Sequence, residues 1–299
     1  MEIRCIHAAR SALGEGALWS PKEQALYWVD QIRPEIHRLD PATGRDMMFP
    51  LDLPAQLGGL VPHAGGGMAL AAADGITIFS PDMKSRRTLV NPIANLPRVS
   101  FNDAKCDRQG RLWAGTTDRL ETEKLGCLYR IDPDGTATLF ADGFVCSNGP
   151  SFSPDGRIMY HTCTHEQTIN AYDLDPATGH VSNRRVFATV EHSAGTPDGS
   201  TVDAEGYLWS THWGGWRIRR YAPDGSLDRE IEMPVKSMTS CAFGGPDMTT
   251  LFVTTASIEL DNGRWIFLDE AGFDAAPMTG GIFAIDVGVK GLPEPVFGA

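Results

Sequence analysis

No two cysteines in this chain form a Cys-x-x-Cys pair. The six, at 5, 106, 127, 146, 163 and 241, are scattered, which argues against both a zinc ribbon and a disulfide scaffold and leaves buried free thiols as the expectation. No stretch approaches the roughly 18 uninterrupted apolar residues of a membrane-spanning helix. The opening residues, MEIRCIHAARSALGEGALW, lack the basic head and long apolar run of a secretory leader, so a cytoplasmic location is expected. Basic residues are in deficit, with 26 Lys and Arg against 38 Asp and Glu for a formal net charge of −12. That balance repels phosphate backbones and anionic lipid heads, so neither nucleic acid nor a membrane is expected as a partner. No Gly-x-Ser-x-Gly elbow is present. HAGGGMAL, from His63, is followed by neither a Lys-Ser/Thr pair nor a helix, so it reads as a turn rather than a phosphate loop. Long segments with helical periodicity are missing too.

What is present is a repeat. Hydrophobic residues make up 42% of the 299, enough for a substantial core. Strand-like runs begin at Leu26, Met68, Leu112, Ile158, Leu208 and Leu251, spaced by 42, 44, 46, 50 and 43 residues. A period of ~40–50 residues holding several short strands is the pattern of propeller blades. Within the repeats, CDRQGRLWAGTT and VDAEGYLWSTH read as strand, turn, strand. Asp107 and Gly110, or Asp203 and Gly206, supply the turn, as do Asp155 and Gly156 in SPDGRIMY. The predicted fold is all-β, a six-bladed β-propeller with four-stranded antiparallel blades, forming one domain over residues 1–299. An irregular sandwich would need the spacing to be accidental. RCIHAA near the start and EPVFGA at the finish are the expected partners in closing the ring.

Each repeat carries a polar oxygen at its head. Glu15 lies 11 residues before Leu26, while Asn102, Asn148 and Asp198 each lie 10 before their own anchor strand. The first strand of each blade lines a propeller's channel, so these side chains are expected to converge at one mouth. The corresponding points of the other blades fall near Gly58 and Ser240, small residues expected to leave open space. Buried carboxylates repel each other and are costly without a cation. Glu15 and Asp198, with the amide oxygen of Asn148, form an all-oxygen set suited to one divalent cation, Ca²⁺, Mg²⁺ or Mn²⁺, with Zn²⁺ also possible. Taken singly, Asx residues in SNGP and TPDG are ordinary turn formers; their shared phase is what argues for a site.

LGEGALWSPKEQALYWVD, FNDAKCDRQGRLWAGT, SNGPSFSPDGRIMY and GTPDGSTVDAEGYLW together resemble the SMP-30/gluconolactonase/LRE family, which includes regucalcin, and the resemblance runs almost end to end. It implies a six-bladed propeller that hydrolyses a sugar-acid lactone, with a divalent metal held at the positions of Glu15, Asn148 and Asp198 and with Asn102 contacting the substrate. Several members carry Arg two residues before the Asn of FND, where this chain has Ser100; the nearest upstream arginine is Arg98. The segment after AGTTD, another substrate contact in the family, aligns poorly here as RLETEKLG. Ser100 and Arg119 are therefore candidate substrate contacts, Arg119 toward an anionic end of the substrate. As a mechanism, the cation polarises the lactone carbonyl or a water, and Asp198 is the catalytic base.

Two further clusters have competing readings. HTCTH places His161, Cys163 and His165 on one strand face, where a zinc site competes with packing between blades, the better home. Trp213 and Trp216 in HWGGWR could stack on a sugar ring or lie in the core. Two other functions compete with the lactonase: a metal-dependent propeller esterase or phosphotriesterase, and a non-catalytic partner-binding propeller, which lacks the Trp-Asp repeat and leaves the phased oxygens unexplained.

Overall fold

The computed structural model describes residues 1–299 apart from 55, 262 and 263. Its main sheets are six four-stranded antiparallel blades, arranged as a six-bladed β-propeller. The expected anchor runs are the second strands of the blades, Ala25–Asp30, Met68–Ala72, Leu112–Asp118, Ile158–Cys163, Leu208–Trp213 and Thr250–Thr255. The first strands, among them Gly14–Ser20, Val99–Cys106, Ser147–Phe152 and Thr196–Val202, are buried along nearly their whole length. Outer strands such as Arg45–Pro50 and Val181–Thr189 are largely exposed. That gradient, from small and apolar residues inside to charged ones outside, is what wraps the sheets around an axis.

The turn chemistry read from the repeats is in place, and in the third and fifth blades it also ties the turn to the blade's core. Asp107 Oδ1 accepts from the backbone N–H groups of Gln109 and Arg111, while Oδ2 accepts from Trp113 Nε1 at 3.0 Å. Asp203 repeats the arrangement with Glu205, Tyr207 and Trp209 Nε1 at 2.9 Å. One carboxylate thus closes a turn and satisfies the only polar atom of a fully buried Trp six residues on. In the fourth blade Met159 stands where the Trp would be, and Ser153 replaces the Asp, its Oγ accepting from the N–H groups of Arg157 and Ile158. HAGGGMAL is a blade turn as expected, with Gly66 and Gly67 at positive φ.

Ring closure differs from the expectation in one partner. Ile3–His7 forms the fourth strand of the last blade, antiparallel to Ile282–Asp286. The C-terminal EPVFGA does not join it. Phe297 is buried and bridges in parallel to His63, donating to Pro62 O and accepting from Ala64 N. Glu294 of the same tail lies 3.3 Å from the buried Lys105 Nζ. An apolar Phe anchors the tail beside the second blade, so the N-terminal strand alone completes the sixth.

All six cysteines are free, and all but the half-buried Cys5 are buried. Among the described residues, no helix is long and apolar enough to cross a membrane.

Candidate functional site

The heads of the repeats are built by a bulge. In five blades the pairing of first and second strands slips by one residue, at Glu15/Leu18, Phe101/Ala104, Asn148/Ser151, Pro197/Ser200 and Met238/Cys241. A bulge bends the strand and re-aims its side chains, and Glu15, Asn102, Asn148 and Asp198 all sit at or within one. Gly16 and Gly149, at φ +61° and +70°, take the left-handed conformation the distortion requires. In the second blade Leu60–Pro62 pairs with Met68–Ala72 without a slip. Gly59 there packs so closely that a Cβ would lie 2.3 Å from Ala104 N.

The four oxygen-bearing side chains do converge. They line one cavity of about 240 Å³, and Glu15, Asn148 and Asp198 are buried while Asn102 is half-buried. Asn102 Nδ2 lies 2.7 Å from Asn148 Oδ1 and 3.2 Å from Ser147 O. Asn148 Nδ2 donates back to Thr164 Oγ1 at 2.8 Å, which leaves its carbonyl oxygen turned to the cluster. Gly58 and Ser240 do not leave open space as expected. A Cβ on Gly58 would press on Phe101 and Ala71, and the buried Ser240 accepts from Ala17 N.

Burial pushes the carboxyls of Glu15 and Asp198 well above the usual carboxylate range. For Glu15 the negative charges of Asp198 and then Asp103 add to the burial; for Asp198, those of Asp103 and Glu121 do. Among the described residues neither carboxylate has an ion-pair partner, and Glu15 takes only the N–H of Gly16, at 3.1 Å. Two buried like charges with no direct ion-pair partner, Lys105 acting on Glu15 only from a distance, are, beside an amide oxygen, a donor set whose cost a hard divalent cation would relieve. No group of three or more His, Cys, Asp and Glu able to hold a metal occurs among the described residues, so the set depends on the Asn oxygen as third donor.

Unlike Asn102, the other two candidate contacts on the third blade, Ser100 and Arg119, do not line the cavity. Ser100 is fully buried, and its Oγ donates to Gln56 Oε1 at 2.6 Å. Arg98 forms a two-pronged pair with Asp118 at 3.1 and 2.7 Å. Asp118 also accepts from the N–H groups of Leu120, Thr122 and Glu123, and these donors hold its carboxyl down at about 2 against the effect of its burial. The pair fixes the loop that brings Glu121 to the cavity.

Glu121 and Trp265 line the cavity without having been singled out in the sequence, and His165 lines it in a role other than the one read there. Glu121 Oε2 lies 2.9 Å from His165 Nε2, and both face the cavity. His165 was grouped with His161 and Cys163, but the strand ends at Cys163 and the following turn carries His165 away. His161 itself is core: it is fully buried, lies 2.7 Å from Ser147 Oγ, and is pushed down to about 3 by burial. Trp213 lines the cavity and Trp216 is exposed. Trp265, edge to face with Trp213 at 6.3 Å between ring centroids, comes from a hairpin, Ile258–Asp261 and Arg264–Phe267, inserted into the last blade. The insertion has no counterpart in the repeat, so no phase could point to it.

A family model described as the SMP-30/gluconolactonase/LRE-like region matches residues 13–257. The 6-deoxy-6-sulfogluconolactonase of Pseudomonas putida is 34% identical over 300 residues, covering 99% of this chain and 98% of the relative. The pentonolactonase of Haloferax volcanii is 36% identical, covering 94% and 93%. Among solved structures, regucalcin from Agrobacterium tumefaciens, described as a calcium-binding protein, superimposes with a TM-score of 0.91 at 28% identity, covering 100% of this chain and 98% of that one.

Proposed function

The chain belongs to the SMP-30/gluconolactonase/LRE-like family, and from that premise we propose that it hydrolyses the internal ester of a sugar-acid lactone with the help of one divalent cation. The observation that carries the reading is the convergence of Glu15, Asn102, Asn148 and Asp198, from four blades, on one cavity. Relatives named for lactone hydrolysis support the substrate class. The volume supports it too: about 240 Å³ is below the ~300–1,000 Å³ of drug-sized pockets and suits a single small ring.

Glu15, Asn148 and Asp198 are the residues that would hold the cation. When bound, it supplies electrophilic polarisation of the lactone carbonyl, the atom on which negative charge develops as water adds. Asn102, fixed by its bonds to Asn148 and Ser147, orients the ring. Asp198 takes a proton from water as the oxygen–carbon bond forms. The ring carbon–oxygen bond then breaks, the proton passes to the departing alkoxide, and the product is an open-chain hydroxy acid that ionises in solution. Burial, with the charges of Asp103 and Glu121, raises the Asp198 carboxyl in the cation-free chain; a bound cation would oppose that rise and keep the carboxylate ionised to receive the proton.

The test is acid release from a panel of aldonolactones and phosphotriesters by metal-stripped protein, with cations restored singly and calcium first. Cation-dependent hydrolysis of a lactone is the expected result. Hydrolysis of phosphotriesters alone, or rates indifferent to every cation, would overturn the reading.

A further inference from the structure

Besides the oxygen cluster, the cavity is lined by the apolar side chains of Leu13, Trp213 and Trp265. They are backed by buried Ala12, Ala256 and Ile258. The edge-to-face contact of the two indoles makes a fixed corner rather than two independent side chains. No Lys or Arg is among the described residues lining the cavity; its Asp, Glu and His members are Glu15, Glu121, Asp198 and His165. Three cations of the adjoining segments are engaged elsewhere, Lys124 with Glu166 at 2.7 Å, Lys236 with Glu259 at 2.7 Å, and Arg98 with Asp118 and Glu123.

Resting on the lactonase reading, we propose that Trp213 and Trp265 are specificity-determining residues that select a lactone whose side away from the reacting ester is uncharged and rich in C–H, a deoxy substituent being favoured over a hydroxyl and an anionic group excluded. An aromatic corner gains by covering C–H surface. A sulfonate or carboxylate placed there loses its hydration, meets no Lys or Arg among the described lining residues, and shares the cavity with Glu15, Glu121 and Asp198.

The experiment uses three 1,5-lactones that differ only at carbon 6, bearing hydroxyl, hydrogen or sulfonate, and the three matching lactams as non-hydrolysable binders. In the full-length protein with its cation, the expected order of kcat/KM is deoxy, then hydroxyl, then sulfonate, the last lower by at least about tenfold. Calorimetric titration of the lactams should give the same order. Trp265→Leu should raise KM several-fold for the deoxy lactone with kcat little changed, Trp265→Phe should restore much of the loss, and Trp265→Arg should narrow or reverse the penalty on sulfonate. A wild-type protein that prefers sulfonate, lactams that bind without discrimination or not at all, or an order untouched in both Trp265→Leu and Trp213→Leu would overturn the inference. If no lactone is hydrolysed, the lactonase reading falls, while the lactam order still decides whether the aromatic corner selects.

Discussion

Asn102 and Asn148, 46 residues apart in the chain and on adjacent blades, meet with Nδ2 and Oδ1 2.7 Å apart. The contact couples the two proposed roles, since the amide that orients substrate also holds the amide oxygen offered to the cation. Asn148→Ala should weaken cation affinity by tenfold or more in a calorimetric titration, in line with the loss of one donor from a small oxygen set. Asn102→Ala should lower kcat/KM by about 10–100-fold while leaving cation affinity within a few-fold. Equal loss of cation affinity in both variants would show that the two amides act as one ligand.

Variants of Asp198 and Glu15 test proton transfer, proposed for Asp198 alone, apart from the cation binding proposed for both. Asp198→Asn should reduce turnover by about a thousandfold or more at saturating cation. Its thermal midpoint without cation should hold or rise, because a buried like charge has been removed. Glu15→Gln should mainly raise the cation concentration needed for half-maximal rate. Near-normal turnover in Asp198→Asn would remove that residue from proton transfer.

Cation binding to the folded chain alone should raise stability by about 2.7 kcal/mol at a concentration 100 times the dissociation constant. Scanning calorimetry with chelator and with added calcium checks this. An unmoved midpoint would mean that the three donors do not close around the ion.

Asp103, beneath the site, gives a pH signature. Burial pushes its carboxyl up to about 6, opposed by Lys105 and by the N–H groups of Ala104 and Gly149. A folded pKa above the unfolded ~3.9 means that the native state binds more protons between these values. Stability is therefore lost as pH rises through 6, and the loss of about 3 kcal/mol is complete above it. Asp103→Asn, which keeps an acceptor for the two N–H groups, should gain stability over the parent at pH 7.5 in chelator and approach parity near pH 4. Urea titrations at the two values decide; a deficit of the same size at both would refute the assignment.

The carboxylate of Asp203 should matter to the fold alone. It accepts from Trp209 Nε1 and from the buried Arg220 at 2.9 and 2.7 Å. Asp203→Ala removes one of three carboxylates from that guanidinium, leaving Glu205 and Asp228, and unpairs the buried Trp209 Nε1, so it should cost about 1–3 kcal/mol in denaturant unfolding, with little change in KM for the fraction that stays folded.

The sequence by itself determined the blades. Strands punctuated by Asp and Gly turns at a regular period are local features: an Asp that closes a turn and caps a Trp six residues later can be read without knowing what surrounds it. The phase of Glu15, Asn102, Asn148 and Asp198 was legible for the same reason, because circular symmetry turns equal phase into proximity. Tertiary structure alone decided the rest. His165 leaves its strand at a turn, Glu121 is carried inward by a loop pinned to Asp118, and Trp265 arrives on an insertion outside the repeat. Ser100 faces Gln56 rather than the cavity, and Phe297 anchors the C-terminal tail beside the second blade instead of closing the ring. These placements depend on contacts between segments far apart in the chain, and no periodicity within one blade encodes them.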